Sequence, residues 1–156
     1  PSTGHESLHY AQIAVGDRYH SALHTVTQEE IISYAGEWDP QSYHVDPAAA
    51  EASVFGGLVA SGMHTIALSF RIFNDLWLFR RIGLAGLGIN SLRWLKPVFP
   101  GDTLQVCGTI SAIHEKPGGR AVIVVLMETL NQHATAVLSL ELAVLVRTDA
   151  DSGPGS

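Results

Sequence analysis

The chain has 156 residues, is 46% hydrophobic, and carries a formal net charge of −6 from nine Lys and Arg against fifteen Asp and Glu. This composition excludes a disordered chain and suits one domain with a real core. The cations are scattered without a basic run, which excludes a nucleic-acid footprint but not an anionic small ligand held by a few local charges.

Residues 1–10 read as a loose arm, 11–148 as a single domain, and 149–156 as a polar tail. The first seven residues lack the basic and apolar regions of a secretory signal. Asp17 to Val26 reads as one strand, with Tyr19, Ser21, Leu23 and Thr25 on one face and His20, Ala22, His24 and Val26 on the other. Thr27 and Glu30 then form a capping-box signature, and Ile31, Ile32, Tyr34 and Ala35 give the apolar stripe of a two-turn helix. Pro40 disfavours helix at Asp39, so Glu37 to Asp46 reads as a loop. Asp46-Pro47 starts a short helix, as an N-cap followed by proline at the first helical position.

From Ser61 a long helix is expected to run to about Phe79. It is apolar nearly all round and must be wrapped by other elements. The uncharged stretch from Ala52 to Phe70 is interrupted by glycines, serines and His64, so it is a poor membrane span. Four strands follow: Ile89 to Leu95, Thr103 to His114 (with Leu104, Val106, Ile110 and Ala112 on one face), Arg120 to Thr129, and Thr135 to Thr148. Short connections make the last three antiparallel neighbours. The order fits an α+β hot-dog architecture, a curved antiparallel sheet of about five strands around one central helix. Cys107, alone and in a strand pattern, reads as a small buried apolar residue and suits a reducing cytoplasm.

The chemistry is concentrated in two stretches. Asp39 and His44 stand five positions apart, a carboxylate and an imidazole able to pass a proton near neutral pH. Phe55-Gly56-Gly57-Leu58-Val59-Ala60-Ser61-Gly62 leads into the long helix, whose first N–H groups are free to meet a developing oxyanion. No Lys-Ser/Thr follows Gly56-Gly57, and Gly83, Gly86 and Gly88 lack dinucleotide spacing, so nucleotide readings are poor. Asp46 reads as a cap and His64 as a packed or capping histidine. His20 and His24 read as strand residues, and Trp38, Trp77 and Trp94 as core or interface aromatics with an acyl tunnel as the alternative. No metal-ligand cluster is evident.

Trp38-Asp39-Pro40-Gln41-Ser42-Tyr43-His44-Val45-Asp46, the Phe55 to Thr65 segment, and Leu95-Lys96-Pro97-Val98-Phe99-Pro100-Gly101-Asp102 together resemble the MaoC-like dehydratases, relatives of the (R)-specific enoyl-CoA hydratases. That resemblance implies a lyase of fatty-acid metabolism that adds or removes water at C2=C3 of an enoyl thioester, on CoA or a carrier protein. It also implies a cytoplasmic homodimer, or a higher oligomer, needing no cofactor beyond the CoA of its substrate. The catalytic pair falls on Asp39 and His44, and the oxyanion donor on the Gly62 N–H. Ser61, Gly57, Leu58, Val59, Tyr43 and Pro97 are the expected substrate-binding residues. Ser61-Gly62 stands where hydratase members often carry His-Gly, and the residues between Asp39 and His44 differ from the Asn-Pro-Leu type, which leaves the acyl substrate open. A hot-dog thioesterase and a non-catalytic thioester-binding module are the alternatives.

Overall fold

In the computed structural model, which describes residues 7–148, the second half of the chain forms the sheet that its two-residue alternation dictates. Strands β4 (Thr103–Lys116), β5 (Arg120–Leu130) and β6 (Ala136–Arg147) are antiparallel neighbours. The strand β3 (Gly83–Trp94) pairs outside β6, and β1 (Arg18–His20) lies outside β4, giving the order β1-β4-β5-β6-β3. A two-residue β2 (His24–Thr25) also pairs with β4, making six strands where about five were expected.

The extra strand arises at Ser21. Its N–H donates to Val106 O at 2.9 Å, while its Oγ accepts from the Val106 N–H at 2.8 Å. The hydroxyl replaces a main-chain partner, so the strand expected over 17–26 breaks and restarts at His24. Strand β3 starts six residues earlier than the expected Ile89, at Gly83. Its glycines weaken the strand signal, and its register against β6 shifts three times. In β4 a shift between Ile110 and Ala112 displaces Ala112 from the buried row of Leu104, Val106 and Ile110, and Ile113 packs on the core beyond it.

Helix α1 (Gln28–Trp38) is capped as expected, with Thr27 Oγ1 accepting from the Glu30 N–H at 3.1 Å. The capping box is only half made, because the Glu30 carboxylate turns to His24 Nε2 at 3.0 Å. A single turn, α2 (Ser42–Val45), occupies part of the segment read as a loop. Asp46 caps α3 (Pro47–Glu51) by accepting from the Ala48 and Ala49 N–H groups. The central helix α4 spans Gly62–Asn74, shorter than expected; i to i+3 turns follow, and Trp77 takes a left-handed φ of 55° that no helix continues through. It is also not wrapped all round, since Met63, Ala67, Arg71 and Asn74 form an exposed row.

On its buried side, α4 presents Thr65, Ser69, Ile72 and Phe73 to the sheet. Ser69 Oγ donates to Thr65 O at 2.7 Å and lies 2.7 Å from Thr129 Oγ1 of β5, so these buried hydroxyls are satisfied. Cys107 is buried, as its strand position implied. Of the expected arm, 1–6 lie outside the described residues, as does the tail 149–156. Ser7 to Tyr10 are tied down: the Leu8 N–H donates to Leu78 O at 3.0 Å, and Ser7 Oγ accepts from the Arg81 N–H at 2.8 Å.

Helix and sheet approach closely at Gly108, where an added Cβ would stand 2.4 Å from Phe73 Cζ and 3.2 Å from Val125 Cγ1. Gly108→Ala is therefore expected to destabilise the fold by about 1–3 kcal/mol through overpacking. A lowered urea midpoint with an unchanged m-value would register it.

Candidate active site

Three chain segments bring the functional groups together. Pro40 stops α1 and leaves Asp39 at its C-cap, where the Asp39 N–H still bonds Ala35 O at 2.9 Å. The α2 turn then lifts His44 back toward the core, and the Val59 N–H ties to Tyr43 O at 3.1 Å. One residue on, the Ala60 N–H bonds Val98 O at 2.9 Å. The 59–60 segment is thus threaded between α2 and the β3–β4 connection, and it delivers Ser61 and Gly62 to the start of α4.

His44 is buried, and its Nδ1 lies 2.6 Å from Val59 O. A carbonyl only accepts, so Nδ1 is the donor, and in the neutral ring Nε2 keeps its lone pair. That lone pair faces Asp39, with Nε2 3.6 Å from Asp39 Oδ2. The gap is too long for a direct hydrogen bond and suits a small oxygen atom bridging the two groups. Asp39 is itself held by Ser61, whose Oγ donates to Oδ2 at 2.7 Å and accepts from the Met63 N–H at 3.2 Å. Tyr43 meets the imidazole edge-on at a centroid distance of 4.5 Å.

Gly62 is the first residue of α4, and its N–H has no acceptor one turn earlier within the helix. It borders a cleft of about 420 Å³, as do Asp39, Tyr43, His44, Val59 and Pro97. The structure therefore brings together the expected pair, the expected donor, and three of the six expected binding residues. Gly57 and Leu58 do not line the cleft; Leu58 belongs to the core. Ser61 is fully buried behind the cleft wall and acts through Asp39.

The cleft also takes Trp94, Leu95, Lys96 and Val98 from the end of β3 and the turn after it, along with Phe55, Ala60, Met63 and Thr65. Lys96, on that turn, carries no functional signal in the sequence beyond its place in the Leu95 to Asp102 motif. Trp38, Trp77 and Trp94 are all more than half exposed, which sets aside the core half of the core-or-interface reading, and of the three only Trp94 lines this cleft.

His64 is packed, as expected: it is buried and stacks on Tyr34 at 4.5 Å, with Nδ1 lacking a partner. Burial lowers its pKa from 6.5, Glu30 opposes that shift, and His24 and His44 reinforce it. Among the described residues, no three His, Cys, Asp or Glu side chains converge as metal ligands, and no helix is long and apolar enough to cross a membrane.

With this geometry in hand, comparison with known proteins is direct. The family model described as "MaoC like domain" matches residues 11–132. The crystal structure of a MaoC-like dehydratase from Rhodospirillum rubrum superposes with a TM-score of 0.86 at 39% identity, over 93% of this chain and 100% of that one. The uncharacterized protein YdeM of Bacillus subtilis is 31% identical over 136 residues, 87% of this chain and 96% of its own length. The 3-hydroxyacyl-thioester dehydratase Z of Mycobacterium tuberculosis is 32% identical over 97 residues, 61% of this chain and 64% of that protein, so under two thirds of its length is spanned. The α+β sheet-on-helix architecture is the hot-dog fold.

The depressed His64 pKa makes the fold sensitive to acid. Between the folded value and 6.5 the unfolded chain binds more protons, so stability present above pH 6.5 is lost as pH falls through the folded value. His64→Phe, which keeps the stack on Tyr34, is expected to flatten this acid limb. Urea midpoints measured from pH 7 to pH 4 would reveal it.

Proposed function

The chain belongs to the MaoC-like domain family, and from that membership and the cleft we propose that it hydrates 2-enoyl thioesters, and dehydrates 3-hydroxyacyl thioesters, through Asp39 and His44. The observation that carries this reading is the fixed tautomer of His44, which turns the Nε2 lone pair toward Asp39 Oδ2 at 3.6 Å beside the Gly62 N–H. The named dehydratase among the relatives lends it support.

A water held between the two groups donates one hydrogen to Nε2 and the other to the carboxylate, which aims a lone pair at C3. As the oxygen attacks, Nε2 takes its proton and becomes part of an imidazolium, which the Asp39 carboxylate stabilises. The C2=C3 electrons move onto the thioester oxygen as an enolate, which the Gly62 N–H and the positive end of α4 stabilise. The Nε2 proton then passes to C2, and the site returns to its starting charge. Water and proton are delivered from one side of the substrate; the (R) configuration of the 3-hydroxyacyl product is carried over from the resemblance to the (R)-specific enoyl-CoA hydratases.

Among the described residues, Lys96 is the one cation lining the cleft and forms no ion pair, which fits an anionic CoA or carrier-protein arm. The long edge strand β3 exposes Leu84, Leu87 and Ile89, which supports assembly as a homodimer. The single buried thiol of Cys107 fits a cytoplasmic setting.

With crotonyl-CoA, loss of the enoyl absorbance without release of free thiol is the expected result. Asp39→Asn and His44→Ala should each lower kcat by about 10²–10⁴-fold. Thiol release at a comparable rate would instead make the protein a thioesterase. Lys96→Gln is expected to raise KM for crotonyl-CoA several-fold with kcat little changed, and to leave the phosphate-free pantetheine thioester unaffected. Equal effects on the two substrates would remove Lys96 from carrier recognition.

A further inference from the structure

Glycine at position 62 presents a physical problem for the reaction. An oxyanion donor works by being fixed before charge develops, yet glycine has more backbone freedom than any other residue, and it stands here at a helix end. Something outside the helix must hold it.

Two observations identify that group. Trp94 Nε1 donates to the Gly62 carbonyl at 2.9 Å. A Cβ built on Gly62 would lie 2.6 Å from Trp94 Cε2 and Nε1 and 3.0 Å from Cζ2, so the indole covers the face of the Cα where a side chain would be. The ring is itself anchored. Trp94 is opposite Leu138 in the β3–β6 ladder, and the next residue, Leu95, donates its N–H to Val137 O at 2.8 Å. Trp94 remains 53% exposed, so burial of the ring does not account for its placement.

We propose that Trp94 is a positioning residue for the oxyanion donor, clamping the first residue of α4 to the end of β3 through its indole N–H and ring face. It acts through Gly62 and takes no proton. The same contact explains why residue 62 is glycine: a methyl group there would displace the clamp. The inference rests on the reading of the Gly62 N–H as the donor.

Trp94→Phe keeps an aromatic ring and removes the N–H. It is expected to lower kcat roughly tenfold to a hundredfold while KM stays within about threefold. A spectroscopic signature separates positioning from a merely structural role. A 2,4-dienoyl-CoA bound in the Asp39→Asn background should absorb at longer wavelength because the donor polarises its carbonyl, and adding Trp94→Phe should shrink that red shift. An unchanged red shift, or a raised KM with native kcat, would overturn the proposal.

A double-mutant cycle provides the second test. Gly62→Ala should be severe beside Trp94 and much milder in the Trp94→Ala background, in kcat and in thermal stability alike. Additive effects would overturn the clamp. If the native protein turns over no enoyl thioester, the hydratase reading fails by itself, and the stability cycle still decides whether the indole holds Gly62.

Discussion

The Ser61 hydroxyl has one proton and two lone pairs, and the fold uses both kinds of capacity. The proton goes to Asp39 Oδ2 at 2.7 Å, and a lone pair takes the Met63 N–H at 3.2 Å. One buried atom thereby caps α4 and orients the carboxylate at the end of α1. That side chain therefore ties the Asp39 carboxylate directly to the start of α4. Because Ser61 has no exposure, water cannot substitute for it without rearrangement. Val59 does the complementary work on His44 two residues earlier, so the 59–62 segment sets both the orientation of the imidazole and the start of α4.

That coupling bears on which reaction the cleft suits. Hydrolysis of a thioester needs water aimed at the carbonyl carbon and a route for the thiolate to leave. Hydration needs water aimed two atoms further along, and a proton returned to the intervening carbon. A carboxylate alone serves the first. An imidazole facing a carboxylate 3.6 Å away suits the second under the proposed reading, because a proton it accepts remains available on the same side of the substrate. The 2.6 Å bond to Val59 O satisfies one nitrogen of the buried imidazole and fixes the direction of the other.

What the sequence made legible was local. Thr27, Pro40, Asp46 and Pro47 act within four residues of themselves, and each cap or stop appears where those residues place it. The alternating runs in β4 to β6 are legible because packing on one face enforces a period of two. The Asp39 and His44 pairing could be read as a spacing, and their meeting follows from the α2 turn. Long-range devices left no such mark. Ser21 interrupts its strand by bonding Val106, a contact that no window of neighbouring residues encodes; Glu30 is nearer its partner, yet it prefers His24, six residues back, to the cap it was expected to complete. Trp94 and Lys96 reach the cleft only because β3 ends beside α4. The glycines of β3 concealed the length of that strand, and the left-handed turn at Trp77 shortened the helix before it.

The position of α4 on the sheet is fixed by two reciprocal contacts. At its start the helix supplies the glycine and the sheet the aromatic ring, Gly62 against Trp94. Near its other end the helix supplies the ring and the sheet the glycine, Phe73 against Gly108. Eleven residues separate them along α4, about 16 Å at 1.5 Å per residue. Ser69 joins Thr129 between them, where a slide or rotation of the helix would strand buried hydroxyls. Two close approaches with opposite partners define both the axial and the rotational setting of a rod. The N–H at its tip is therefore placed by the whole sheet, and a change at Gly108, remote from the cleft, acts on the start of α4 through the same lever as a change at Trp94.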